Sequence, residues 1–220
     1  MNLAAYRTAV RDQTHDGGAS VWTDAQVDTA LRAALEAYSR VTARTVTATL
    51  TLASGGREMS LASLPGLLTV RMVWLPYTVS DPEDPPNVRH FIPLSPTTIY
   101  ITDGAEPAAG ETARVFYLAL HTVDGLDGAT ATSVPAWHEQ GLALGAAAYL
   151  AEARARQVSE ADNVTSATRR WANDWARGRL QAWQGWLAEV AVTESGPVAW
   201  QLPLPGFKEC SEPRYFRLSA

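Results

Sequence analysis

Between Thr23 and Val41, apolar side chains recur every three or four residues, at Val27, Leu31, Ala34, Leu35, Tyr38 and Val41. That spacing places them on one face of an α-helix. Its start is marked as well. Thr23-Asp24-Ala25-Gln26 has the form of a capping box, in which the threonine hydroxyl accepts from the Gln26 backbone N–H and the glutamine side chain reaches back. Trp22 and Val27 flank the cap as a hydrophobic staple. A shorter helix is expected before it, over residues 3–12, with His15-Asp16-Gly17-Gly18 as the turn between the two.

From Val46 onward the period changes to two. Residues 45–52 alternate threonine with aliphatic side chains, the pattern of a strand with one buried face. Ser54-Gly55-Gly56 is a turn that could return the chain into a strand at 58–61. Longer strands are expected at 67–74 and 113–121, and shorter ones near Phe91 and Ile99. Asp81-Pro82-Glu83-Asp84-Pro85-Pro86 is a loop, because proline withholds the N–H that a central strand needs.

Helical signals return at Ser133-Val134-Pro135, with proline where a first turn tolerates it. Trp137, Leu142, Leu144, Tyr149 and Leu150 point in many directions around the helix that follows, which makes it the central, most buried one. After a break near Gln157-Val158-Ser159, a long helix is expected over 160–192. At 100° per residue, Val164, Trp171, Trp175, Ala182 and Trp186 gather on one side of it, and Ala167, Gly178 and Gly185 form a flank of small residues. Beyond it, Pro197, Pro203, Pro205 and Pro213 forbid a long helix. Trp200, Leu202, Leu204, Phe207, Tyr215 and Phe216 are too apolar for a solvated linker. The fold class is therefore α+β: a helical bundle of two N-terminal and two C-terminal helices (1–45 and 133–192), an inserted β-rich domain (46–132) and an extended C-terminal tail (193–220).

Hydrophobic residues make up 46% and charged residues 19% of the 220-residue chain, which places it among globular proteins. The longest apolar run, 141–151, falls short of the roughly 20 residues that a membrane helix needs. No basic segment followed by an apolar stretch opens the chain, so no secretory signal is expected. Charge is uneven: between Pro76 and Asp127 eight carboxylates face only Arg89 and Arg114, a segment that repels phosphate and argues against gripping nucleic acid there.

Signatures of catalysis are poor. His138-Glu139 begins like a zinc-protease motif, but Leu142 stands where the second histidine belongs. His15, His90 and His121 are scattered, and neither a Gly-x-Ser-x-Gly elbow nor a phosphate-cradling glycine loop occurs. Cys210 is the sole cysteine and has no partner for a disulfide or a thiolate metal site. No catalytic residue, cofactor or metal is expected. The tryptophan stripe with its small-residue flank instead suits a helix that packs on another copy of the chain.

A short first helix, the Val21-Trp22-Thr23-Asp24-Ala25-Gln26-Val27-Asp28 step into an alanine-rich helix ending Tyr38-Ser39-Arg40, the re-entry through Val134-Pro135, and a last long helix together resemble the head–tail connector (adaptor) proteins of tailed bacteriophages. The likeness covers residues 3–44 and 133–192. It implies a non-enzymatic virion subunit, made in the host bacterial cytoplasm, that forms a homo-oligomeric, dodecameric ring in the neck. That ring sits under the portal protein, continues the DNA channel and offers a docking face to a tail or stopper protein. It further implies that Trp171, Trp175, Gly178, Gly185 and Trp186 lie between subunits, and that the tail docks on the portal through Trp200, Phe207, Tyr215 and Phe216. Other readings of the residues are a different neck or tail-completion protein, a ligand-binding β module using Trp74, Tyr77 and Tyr100, and a hydrolase centred on His138 and Glu139.

Overall fold

The computed structural model describes residues 1–78 and 87–194. The loop expected at 81–86 and the tail 195–220, with Trp200, Phe207, Tyr215 and Phe216, lie outside the described residues. The chain is α+β. Among the described residues two helices, α1 (Leu3–Thr14) and α2 (Asp24–Val41), precede seven strands: β1 (Arg44–Thr51), β2 (Glu58–Ser60), β3 (Leu67–Trp74), β4 (Val88–Arg89), β5 (Phe91–Ser95), β6 (Thr98–Ile101) and β7 (Thr112–Ala119). A 3-10 turn (Ala136–His138) then leads into α3 (Glu139–Glu160) and α4 (Ser166–Glu194).

Local chemistry fixes the first helix pair. Asn2 caps α1 by accepting from Ala5 N at 3.0 Å, and His15, in the left-handed region at φ 57°, ends it. The turn that follows is organised by Asp16, which is buried and accepts from the backbone N–H groups of Ser20, Val21 and Trp22 at 2.8–3.1 Å. Burial pushes its carboxyl pKa up, but those three donors and the Ser20 hydroxyl outweigh it and hold the group below its ordinary value. At α2 both halves of the capping box form, and Trp22 and Val27 are buried beside it. Arg7 then clamps the two helices, with bidentate bonds of 2.8 and 2.6 Å to Asp28 and a third of 2.9 Å to Asp24. Thr23→Ala is expected to cost about 1 kcal/mol, or roughly 2–4 °C of melting temperature in a chain of this size, and a thermal melt followed by circular dichroism checks it.

The central position belongs to α3, which packs against α1, α2 and α4. It can do so because its sequence is small nearly all the way round: Gly141, Leu142, Ala143, Gly145, Ala146, Ala147, Ala148, Leu150, Ala151 and Ala155 are all buried. Two of the expected apolar positions behave differently. Trp137, in the turn before α3, is 77% exposed, and Val41, in the last turn of α2, is 38% exposed. The break between α3 and α4 falls at 161–165, later than the Gln157-Val158-Ser159 position expected. There the Thr165 hydroxyl accepts from Thr168 N at 3.2 Å and caps α4, a start signal stronger than the weak helix formers upstream.

The strands form two antiparallel sheets, ordered β1-β7-β3-β4 and β2-β6-β5. β1 pairs with β7 residue for residue from Arg44↔Ala119 to Thr51↔Thr112, and its threonines are exposed while Val46, Ala48 and Leu50 are half-buried. Ser54-Gly55-Gly56 does not close a hairpin between β1 and β2, because β2 pairs with β6 in the other sheet. Gly56 N instead donates to Pro107 O at 2.9 Å, while Leu52 and Glu111 extend the β1–β7 contact. The chain therefore crosses from one sheet to the other at this turn. Val73, Val115, Tyr117, Ile99, Ile101 and Met59 fill the core of the β segment, a cluster that shares no member with the helical core.

Candidate functional surfaces

The two faces of α4 are chemically different. Ala172, Ala176, Trp183 and Val190 are buried, four positions spaced by 4, 7 and 7 residues that keep to one side of a helix. Trp183 lies against Gly145, where an added Cβ would come within 2.8 Å of its ring. Trp186 lies in the same way over Gly141, stacked on Trp183 at 5.3 Å and on Tyr38 at 5.9 Å. Trp186 therefore belongs to the chain's own core. Of the five residues expected between subunits it turns inward, since 15 residues of helix rotate it about 60° from Trp171 towards α3, and Trp175 in part follows it, half-buried against Ala151, Ala155, Ala172 and Ala176. Sequence reasoning missed Trp183. The signal available was the Gly141/Gly145 pair, one turn apart, which makes room on α3 for two large rings.

On the outward side, Trp171 is 65% exposed and stacks on half-buried Trp175, with ring centroids 6.0 Å apart and planes 1° from parallel. Gly178 and Gly185 continue this face, and among the described residues nothing lies within 4 Å of a Cβ added at either. Val192 ends it, 75% exposed. Among the described residues nothing covers this face, which carries exposed Glu189 between Gly185 and Val192.

A second cluster sits where the helices meet the strands. Tyr38, His121, His138 and Trp186 are in ring contact, with centroids 5.0–5.9 Å apart. The Tyr38 hydroxyl pairs with His138 Nδ1 at 2.8 Å. His121 Nε2 lies 2.5 Å from the Thr42 carbonyl, and its Nδ1 lies 3.1 Å from the Ser133 carbonyl and 3.2 Å from the Ser133 hydroxyl. A neutral ring protonated on Nε2 donates to the Thr42 carbonyl and accepts from the Ser133 hydroxyl, whereas the Ser133 carbonyl favours a proton on Nδ1. Both histidines are 7% exposed, so they tie α2, the 120–135 connection and α3 together and offer no open face to a substrate.

Burial lowers the His121 pKa, outweighing the Thr42 and Ser133 carbonyls, which favour the charged ring; Arg44 and His138 lower it further. A base held neutral in the fold contributes no pH dependence above the ordinary imidazole value of about 6.5, and its unfolded form gains a proton first as pH falls below that value. Stability should therefore decline between about pH 7 and pH 5. His121→Asn should flatten that part of a melting-temperature profile while lowering the whole curve. A wild-type profile level across the window would contradict it.

On the outer face of the four-stranded sheet, Trp74 meets Phe116 at 4.8 Å and Tyr77 at 6.2 Å. The Arg114 guanidinium lies 5.1–5.6 Å from all three ring centroids and donates to the Tyr77 hydroxyl at 2.5 Å. Trp74 and Tyr77 thus come together, but Tyr100 stands on β6 in the other sheet. The cation lies over one face of each ring, where it competes with any sugar for stacking. Within the acidic segment, Asp127 clasps Arg32 with bonds of 2.8 and 2.9 Å, and Asp103 accepts from His90 N at 3.0 Å.

Between α2 and α3 runs an open groove of about 400 Å³. Ala25 and Ala33 line one wall and Tyr149 and Ala153 the other, over a floor that includes Trp22 and Leu150. Among the described residues no group of three or more His, Cys, Asp or Glu is placed to hold a metal ion, and no helix is long and apolar enough to cross a membrane. No family model matches the chain, and no curated protein does.

Proposed function

We propose that the chain is a structural, non-enzymatic subunit of a phage neck: a helical bundle carrying an inserted β domain and an extended tail, assembled as a dodecameric ring between the portal protein and a tail or stopper protein. The observation that carries this reading is the outward face of α4. A stacked indole pair, two open glycines and an exposed valine along one helix form a surface that water disfavours and a neighbouring subunit would cover. The helix order and the capped entry into α2 add the family resemblance. The acidic excess between Pro76 and Asp127 suits a conduit through which DNA slides without sticking. The tail, through Trp200, Phe207, Tyr215 and Phe216, is the portal-docking element, and the assembled protein resides in the virion neck.

The test is to mix the purified chain with the portal protein of the same phage and view the product by negative-stain microscopy. Twelve-fold rings capping the portal are expected. Trp171→Glu should remove them while leaving the circular dichroism spectrum unchanged, because Trp171 is mostly outside the core. Wild-type protein that binds no portal, or binds it equally well as Trp171→Glu, would end this reading.

A further inference from the structure

We infer that the strand segment, residues 44–120, pivots on the helices about a hinge of two chain crossings, one at Ala43 and the other between Leu120 and His121. The hinge goes beyond the neck-ring reading and does not depend on it.

Packing divides the chain along this line. Among the described residues helices pack on helices and strands on strands, beyond isolated contacts. The main helical core and the strand core have no residue in common. The chain passes between the two parts twice, from α2 into β1 and from β7 towards α3. Parts of a chain that share no large apolar interface move relative to one another by default, because little besides the crossings sets their angle.

Hydrogen bonds locate the pivot to within a residue. On the first crossing Thr42 belongs to the helices, since its N–H and its hydroxyl both donate to the Tyr38 carbonyl, at 2.9 and 3.1 Å. Arg44 already belongs to the sheet, paired with Ala119. Ala43 alone separates them. On the second crossing the Leu120 N–H donates to the Gly66 carbonyl at 2.8 Å, on the strand side. The next N–H, of His121, donates at 2.9 Å to the Ser39 hydroxyl, which is buried in α2. Allegiance changes across one peptide bond.

Both sides of the hinge are firm, which concentrates motion between them. On the strand side Arg44 Nε donates to the Leu120 carbonyl at 2.9 Å, so the two crossings leave the sheet as a unit. On the helix side the His121 ring bridges the Thr42 carbonyl and Ser133, with Tyr38 tilted against it at 5.0 Å. The Thr122 N–H adds a bond of 2.8 Å to the Ser133 hydroxyl. The soft torsions left are those of Ala43, ψ of Leu120 and φ of His121, because the peptide unit between the last two is planar. Two adjacent crossings define one axis, and turning about it stretches none of these bonds. A few residues at element ends that absorb the whole change are the ordinary form of a hinge.

Amide residual dipolar couplings and nitrogen relaxation rates of the full-length protein test the inference. The helix amides should fit one alignment tensor and the strand amides a second of smaller magnitude, with a shorter rotational correlation time for the strands. Ala43→Gly adds freedom at the pivot and belongs to neither core, so it should widen both differences. One tensor and one correlation time for the whole wild-type chain would overturn the inference. So would an Ala43→Gly chain identical to the wild type, which would put the motion away from this crossing. Ring formation is read separately, by the microscopy above, so either idea can fail alone.

Discussion

Trp183→Ala should be the most damaging single substitution on α4, lowering stability by about 3–5 kcal/mol, the range for a large buried aromatic reduced to a methyl group. At about 2–4 °C per kcal/mol for a chain of this length, the melting temperature should fall by on the order of 10 °C. The ring is 2% exposed, stacked on Trp186 and seated against Gly145. Its removal leaves a space opposite Gly145, a residue with no side chain to close it. Trp171→Ala is the control. With 65% of its surface exposed, Trp171 contributes far less to the monomer, and its loss should shift the melt by no more than a few degrees. Equal shifts for the two variants in a urea or thermal titration would mean that the inner and outer faces of α4 have been assigned the wrong way round.

Gly141→Leu is expected to cost about 3 kcal/mol, the upper end for overpacking a filled core. Two effects compete at this site. Leucine is the better helix former by nearly 1 kcal/mol, which alone would stabilise α3. Its Cβ, however, would overlap the Trp186 indole, and that ring cannot swing away because Tyr38 and Trp183 hold its faces. The clash wins. Two companion variants separate the terms. Gly178→Leu, with nothing within 4 Å of its new Cβ, should keep only the propensity gain and melt slightly higher. Trp186→Ala combined with Gly141→Leu should lose less than the sum of the two single changes, with a coupling of at least about 1 kcal/mol for groups in direct contact. Additive losses would show that Gly141 and Trp186 do not share the space described.

Much of the fold was legible because its signals are local. The Thr23/Gln26 box and the Trp22/Val27 staple depend on residues within a few positions of each other, so the entry into α2 follows from sequence alone. Alternation along β1, and the apolar residues that point in many directions around α3, are of the same kind. Where a stronger local signal was overlooked, as at the Thr165 cap, the boundary moved by about two turns of helix.

The sequence determined the order of helices and strands, the α+β class and the presence of a tryptophan-rich last helix, because backbone propensity, capping and periodicity act over one or two turns. Only the tertiary structure decided which indoles face in. Trp171, Trp175, Trp183 and Trp186 differ little in sequence context, and their sorting follows from where α3 offers glycine, a property of another element. It also decided that β2 pairs with β6 rather than β1, and that His121 and His138 close a buried junction with Tyr38 some 80 to 100 residues away. Partners so distant in the chain leave no periodic trace, since what joins them is the energy of burying and hydrogen-bonding them together.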